Sequence, residues 1–228
     1  MPMKSFVWLS LLIVSLVMPA RVALGQATNH NFQVWEREIS AFERSDATNP
    51  PPKGACLFIG SSTIRFWKSL AQDFPDQPVI NRGFGGSQIV DSTHFADRII
   101  APYAPRLIFL RAGGNDLWLD KKPVGEVFAD FKDFAATVHA KLPAAEIVYI
   151  SNSPSIARWT QHEKEKAVND LVRDYVQGKP WLHYIETYPI VFGADGKPRP
   201  EIFVGDKLHF NAAGYQLLAA AVREQWPK

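Results

Sequence analysis

The chain of 228 residues has a single cysteine, Cys56. An internal disulfide is therefore excluded, and a zinc site would find no second thiolate. Set inside an apolar run, this thiol reads as a small core residue. An excess of one charge is also missing: 25 Lys and Arg stand against 23 Asp and Glu. A nucleic-acid partner would call for a basic face, and none is expected. No apolar run reaches the roughly 18–20 residues of a membrane span. The candidate from Phe6 to Val17 is too short, and Pro19 and Arg21 interrupt its extension. Lys4 ahead of it and Ala23-Leu24-Gly25 behind it fit a signal peptide over residues 1–25, cut before Gln26 or, as second choice, after Ala27. Its removal takes two basic residues and no acid, leaving 23 of each sign. The expected product is exported, periplasmic or secreted, with no stable membrane anchor. Internal repeats and convincing metal-ligand spacing are absent, so neither metal nor other cofactor is expected.

What remains is globular: 46% of residues are apolar and 21% charged, in a chain of single-domain length. Residues 26–53 read as a lead-in, a helix with Phe32, Trp35, Ile39 and Phe42 on one face, then a Pro-rich connector. From residue 54 to 228, short apolar runs alternate with helical patterns. The runs are Ala55–Ile59, Pro78–Asn81, Arg106–Arg111, Glu146–Ile150 and Trp181–Ile185. Between them, Ile64, Trp67 and Leu70 suggest a helix, as do residues 89–100 and 124–138. Thr160 with Glu163 suggests a capping box for the next helix, and Asn211 is placed to cap a last helix over 212–225. Such alternation predicts an α/β fold of three layers, α/β/α, around a five-stranded parallel sheet.

Three strand ends carry unusual residues: Gly60-Ser61-Ser62-Thr63, Gly83-Phe84-Gly85-Gly86-Ser87 and Gly113-Gly114-Asn115-Asp116. A parallel sheet gathers them on its carboxyl edge, where ligands bind. A serine there can be a nucleophile or merely a helix cap. Acyl transfer by serine needs a base, a group that orients the base, and donors for an oxyanion. His209 is the base candidate, with Asp206 three residues earlier in the same loop to hold its Nδ1–H. The donors would be the N–H of Ser62, the N–H of Gly86 and the side-chain amide of Asn115. Each has a plainer role in isolation, since histidine near a helix cap and aspartate or asparagine in turns are common. Their company is the signal. Asp116 reads as structural, capping the turn through Leu117-Trp118. His30, His94, His139, His162 and His183 have no comparable neighbour and are assigned surface or core roles. Phe84, Trp118 and Trp159 are candidates for the substrate pocket. Competing motifs fail: Gln88 stands where a dinucleotide fingerprint needs its third glycine, and neither a Walker loop nor G-x-S-x-G occurs.

From about Gly54 to Trp226 these blocks resemble the SGNH hydrolases, the GDSL-like esterases and acylhydrolases. Gly60-Ser61-Ser62 matches the first block, Gly86 the second, Gly113-Gly114-Asn115-Asp116 the third, and Asp206-Lys207-Leu208-His209 the last. The resemblance implies a flavodoxin-like sheet, Ser62 as nucleophile, and Ser61 in place of the family's usual aspartate. It implies an exported serine esterase acting through an acyl-enzyme on a small-molecule, polysaccharide or lipid ester. The alternatives are an acyltransferase using the same site and a catalytically silent carbohydrate- or ligand-binding protein.

Overall fold

The strands follow the apolar runs closely: β1 (Cys56–Gly60), β2 (Val79–Gly83), β3 (Leu107–Arg111), β4 (Glu146–Ile150) and β5 (Leu182–Ile185). The computed structural model describes residues 30–227, so the expected signal peptide and its cleavage points lie outside the described residues. All neighbouring strands are parallel, in the order β2-β1-β3-β4-β5. That is the flavodoxin-like order of a doubly wound sheet. β1 and β3 are buried at every position, as expected for strands covered on both faces.

The helices are α1 (Glu36–Thr48), α2 (Ser62–Arg65), α3 (Leu70–Asp73), α4 (Ile89–His94) and α5 (Ala96–Ile99). There follow α6 (Gly114–Trp118), α7 (Val124–Lys141), α8 (His162–Val176) and α9 (Ala212–Glu224). Period-two alternation along the strands divides the interior in two. Leu57, Ile59, Ile108, Leu110, Ile147 and Tyr149 pack with Phe131 and Phe134 of α7 and Val168 and Val172 of α8. Cys56, Phe58, Phe109, Val148 and Ile150 face the other way, toward Ile64, Trp67 and the Leu218 and Val222 of α9. Among the described residues no helix is long and apolar enough to cross a membrane.

Three local expectations are corrected. The Ile64, Trp67, Leu70 spacing reflects consecutive tight turns, not one helix: the N–H of Trp67 donates to Ile64 O and that of Leu70 to Trp67 O. Two short helices, α2 and α3, result. The helix expected over 89–100 breaks at Phe95, whose ring is buried against Phe84 and Phe32. The Thr160–Glu163 capping box does not form. Trp159 stacks on His162 with centroids 3.9 Å apart, Trp159–Gln161 is a 3-10 turn, and α8 begins only at His162. The Asn211 cap does form, its side chain accepting from the N–H groups of Ala213 and Gly214.

Candidate active site

Gly60 ends β1 with φ at +137°, and the chain turns at once into α2. A Cβ at this glycine would lie 2.1 Å from the carbonyl oxygen of Arg111 on β3. The close approach of β1 to β3 therefore requires glycine, and it sets where the two following serines fall. Ser61 is held by its backbone: its N–H donates to Arg111 O, and its carbonyl accepts from Ile64 and Arg65. Ser62 opens α2 and presents its Oγ to the carboxyl edge of the sheet.

His209 reaches that hydroxyl from 147 residues away, Nε2 standing 2.9 Å from Ser62 Oγ. Its other ring nitrogen, Nδ1, lies 2.6 Å from Asp206 Oδ2. With the Nδ1 proton donated to the carboxylate, Nε2 carries the lone pair and accepts from the serine O–H. Asp206 is itself fixed, because its Oδ1 accepts from the backbone N–H of Leu208 at 2.9 Å and of His209 at 3.0 Å. Burial pulls the Asp206 pKa up, but the hydrogen bonds from the His209 ring and from the His209 and Leu208 backbone outweigh it and hold the pKa at about 2. The carboxylate is thus ionised throughout the neutral range. Phe66 meets the imidazole edge-on, with centroids 5.0 Å apart.

Asn115 lies in α6, only 6% exposed. Its Nδ2 donates to Ser87 O at 2.9 Å, and its Oδ1 accepts from Arg158 Nη1 at 2.8 Å. Ser87 directly follows Gly86, which sits at φ +83° in the turn after β2. The second and third glycine-rich turns are therefore joined at the site. Asp116 does not cap its own turn: its Oδ1 accepts from the N–H of Ile89 at 3.2 Å, tying α6 to α4.

A small cleft of about 60 Å³ opens here. Ser62, Asn115, Asn152, Ser153 and Arg158 contribute polar walls, and Leu208 an apolar one. Of the three aromatic pocket candidates, Phe84 is wrong. It is fully buried and packs edge-on to Trp35, just ahead of α1, and to Phe95, just after α4. Trp159 is engaged with His162. Trp118 is 39% exposed and carries the Arg158 guanidinium over its ring at 5.4 Å. Two histidines thought to lack carboxylate neighbours have them: His162 lies 3.0 Å from Glu163, and His183 contacts Glu146.

Sequence reasoning missed the charges in the cleft wall. Arg111 is 4% exposed and donates to Thr187 Oγ1 at 2.8 Å and to Ser151 O. Glu165 is also 4% exposed, with Oε1 accepting from Gln161 Nε2 at 2.7 Å. Burial lifts the Glu165 pKa to about 7, against the Gln161 hydrogen bond and the charges of Arg111 and Arg158. The folded state thus holds this proton more tightly than the unfolded chain, where the ordinary value is 4.5. Stability is accordingly lost as pH rises from that value to about 7, and the loss is complete above it. Glu165→Gln is expected to match the native protein near pH 5 and to exceed it at pH 8 by on the order of 3 kcal/mol, measured by urea unfolding.

Residues 59–217, well over half the chain, match the GDSL-like lipase/acylhydrolase family. The chain belongs to this family. A relative, the platelet-activating factor acetylhydrolase IB subunit alpha1 of Bos taurus, is 25% identical over 202 residues, covering 82% of this chain and 81% of that one. Among solved structures, a GDSL-like lipase from Bacteroides thetaiotaomicron superposes with a TM-score of 0.64 at 17% identity, covering 85% of this chain and 96% of that one. A catalytic mutant of an acetylxylan esterase from Geobacillus stearothermophilus gives a TM-score of 0.61 at 16% identity, over 78% of this chain and 96% of that one. These two likenesses bear on the fold alone. They place this GDSL-like protein on the same three-layer architecture.

Proposed function

We propose that this GDSL-like protein is a serine esterase that cleaves short-chain carboxylic esters through an acyl-enzyme. The observation that carries the reading is the continuous hydrogen-bonded chain from Ser62 Oγ through His209 to Asp206. Ser62 Oγ attacks the ester carbonyl carbon while His209 Nε2 takes the hydroxyl proton. Asp206, ionised and fixed, holds the tautomer and stabilises the imidazolium. The carbonyl oxygen becomes an oxyanion, received by the N–H groups of Ser62 and Gly86 and by Asn115 Nδ2. The tetrahedral adduct collapses, the C–O bond to the alcohol breaks, and His209 returns its proton to the departing oxygen. Water, activated by His209, then attacks the acyl-serine, releases the acid and restores Ser62.

The largely polar lining of the cleft supports a short acyl group, which accords with the acetyl in the names of two of the proteins above. The leader-like segment before Gln26 supports an exported enzyme. A series of p-nitrophenyl esters tests the substrate reading. The expected result is highest kcat/KM for acetate and propionate, with a fall of at least about tenfold by octanoate. A rising profile toward octanoate would overturn the short-chain assignment, and no turnover of any ester would overturn the esterase itself.

A further inference from the structure

The Asn115 carboxamide is held at both ends. A flip about its side chain would set Oδ1 against the Ser87 carbonyl and Nδ2 against a guanidinium, two repulsive contacts in place of two hydrogen bonds. Arg158 and the Ser87 carbonyl together fix which end of the amide is available as a donor. A cation on Oδ1 also draws electron density from the amide and strengthens its N–H groups as donors.

Arg158 is well placed for this. Its guanidinium lies over Trp118, and its backbone N–H donates to Ser155 Oγ at 3.2 Å. The preceding residue makes a separate link: the N–H of Ala157 donates at 3.0 Å to the carbonyl of Lys207, between Asp206 and His209. Lys207 holds a left-handed φ of +57°, so the turn that carries the base is tightly folded at that contact. The segment after β4 thus touches both halves of the site, the amide on one side and the Asp206–His209 turn on the other.

We propose that Arg158 is a positioning residue, acting through Asn115 to orient and polarise the oxyanion-binding amide. The catalytic part of this inference rests on the esterase reading, whereas the clamp on the amide does not. Four proteins test it with p-nitrophenyl acetate: Asn115→Ala, Arg158→Met, Arg158→Lys and the double variant Asn115→Ala/Arg158→Met. Asn115→Ala is expected to lose about 10²–10³ in kcat. Arg158→Met should lose roughly tenfold or more in kcat with KM within about twofold, and Arg158→Lys should recover part of the loss. The double variant should be no slower than Asn115→Ala, because the arginine works only through that amide. Equal losses from Arg158→Met in the presence and absence of Asn115, or an unchanged kcat, would overturn the proposal.

A second readout is independent of turnover. The Asn115 side-chain amide is identified in a ¹H–¹⁵N spectrum by its disappearance in Asn115→Ala. It should shift in Arg158→Met and move back toward its native position in Arg158→Lys. An unmoved resonance would refute the clamp whatever the kinetics show. A shifted resonance in a protein that turns over no ester would uphold the clamp and refute the esterase.

Discussion

Ser62→Ala is expected to reduce kcat for p-nitrophenyl acetate by about 10⁶-fold, while Ser61→Ala stays within about tenfold of the native enzyme. The two serines are adjacent, but the geometry separates them. Only Ser62 Oγ lies within hydrogen-bonding reach of the imidazole, at 2.9 Å. Ser61 contributes through its backbone, whose N–H donates to Arg111 and whose carbonyl starts the α2 turn. Alanine preserves all of those bonds. Where GDSL-like proteins usually carry aspartate, this chain has a serine whose observed bonds at the site are those of its backbone. Active-site labelling with a fluorophosphonate gives the same comparison without turnover: Ser61→Ala should label and Ser62→Ala should not. The reverse pattern would move the nucleophile one residue back.

The second large effect is on folding. Gly60→Ala is expected to destabilise the protein by about 3–5 kcal/mol, read from the midpoint of urea unfolding. Two costs combine. The φ of +137° is outside the range that side-chain-bearing residues readily adopt, and the new methyl would lie 2.1 Å from the Arg111 carbonyl oxygen. That oxygen cannot retreat, because β3 is the central strand and is paired on both sides. Gly178→Ala is the control. Its φ is +74°, but a Cβ there would meet nothing within 4 Å, so only the backbone cost of about 1–2 kcal/mol applies. Equal losses at both positions would show that the β1–β3 approach is softer than described.

Much of this architecture was legible from the sequence. Buried parallel strands need continuous apolar runs, and such runs are hard to mistake: β4 spans the expected Glu146–Ile150. Asn211 was also readable, since capping is a local interaction between a side chain and the next two or three N–H groups. The expected contact of Ser62 with His209 and Asp206 was a matter of several loops arriving at one edge, which the strand alternation implies. The misreadings share a cause. Thr160 and Glu163 have the right spacing for a box, but the Trp159–His162 stack determines the local turn. Phe84 sits in a glycine-rich loop that looks exposed, yet it is fully buried with the rings of Trp35 and Phe95 packed against it. Arg111 and Arg158 left no trace in any periodic pattern, because their side-chain partners, Thr187 and Asn115, are distant in the chain. Glu165 has a near partner in Gln161, but its burial depends on what closes over it.

The separation of 147 positions between Ser62 and His209 also bears on when the proposed esterase becomes competent. A ribosome works from the amino end, so the hydroxyl emerges long before the imidazole has been translated. Throughout that interval the growing polypeptide carries an ordinary, unreactive alcohol. On the proposed serine-esterase reading, competence comes late, when the turn ahead of α9 has been made and has docked.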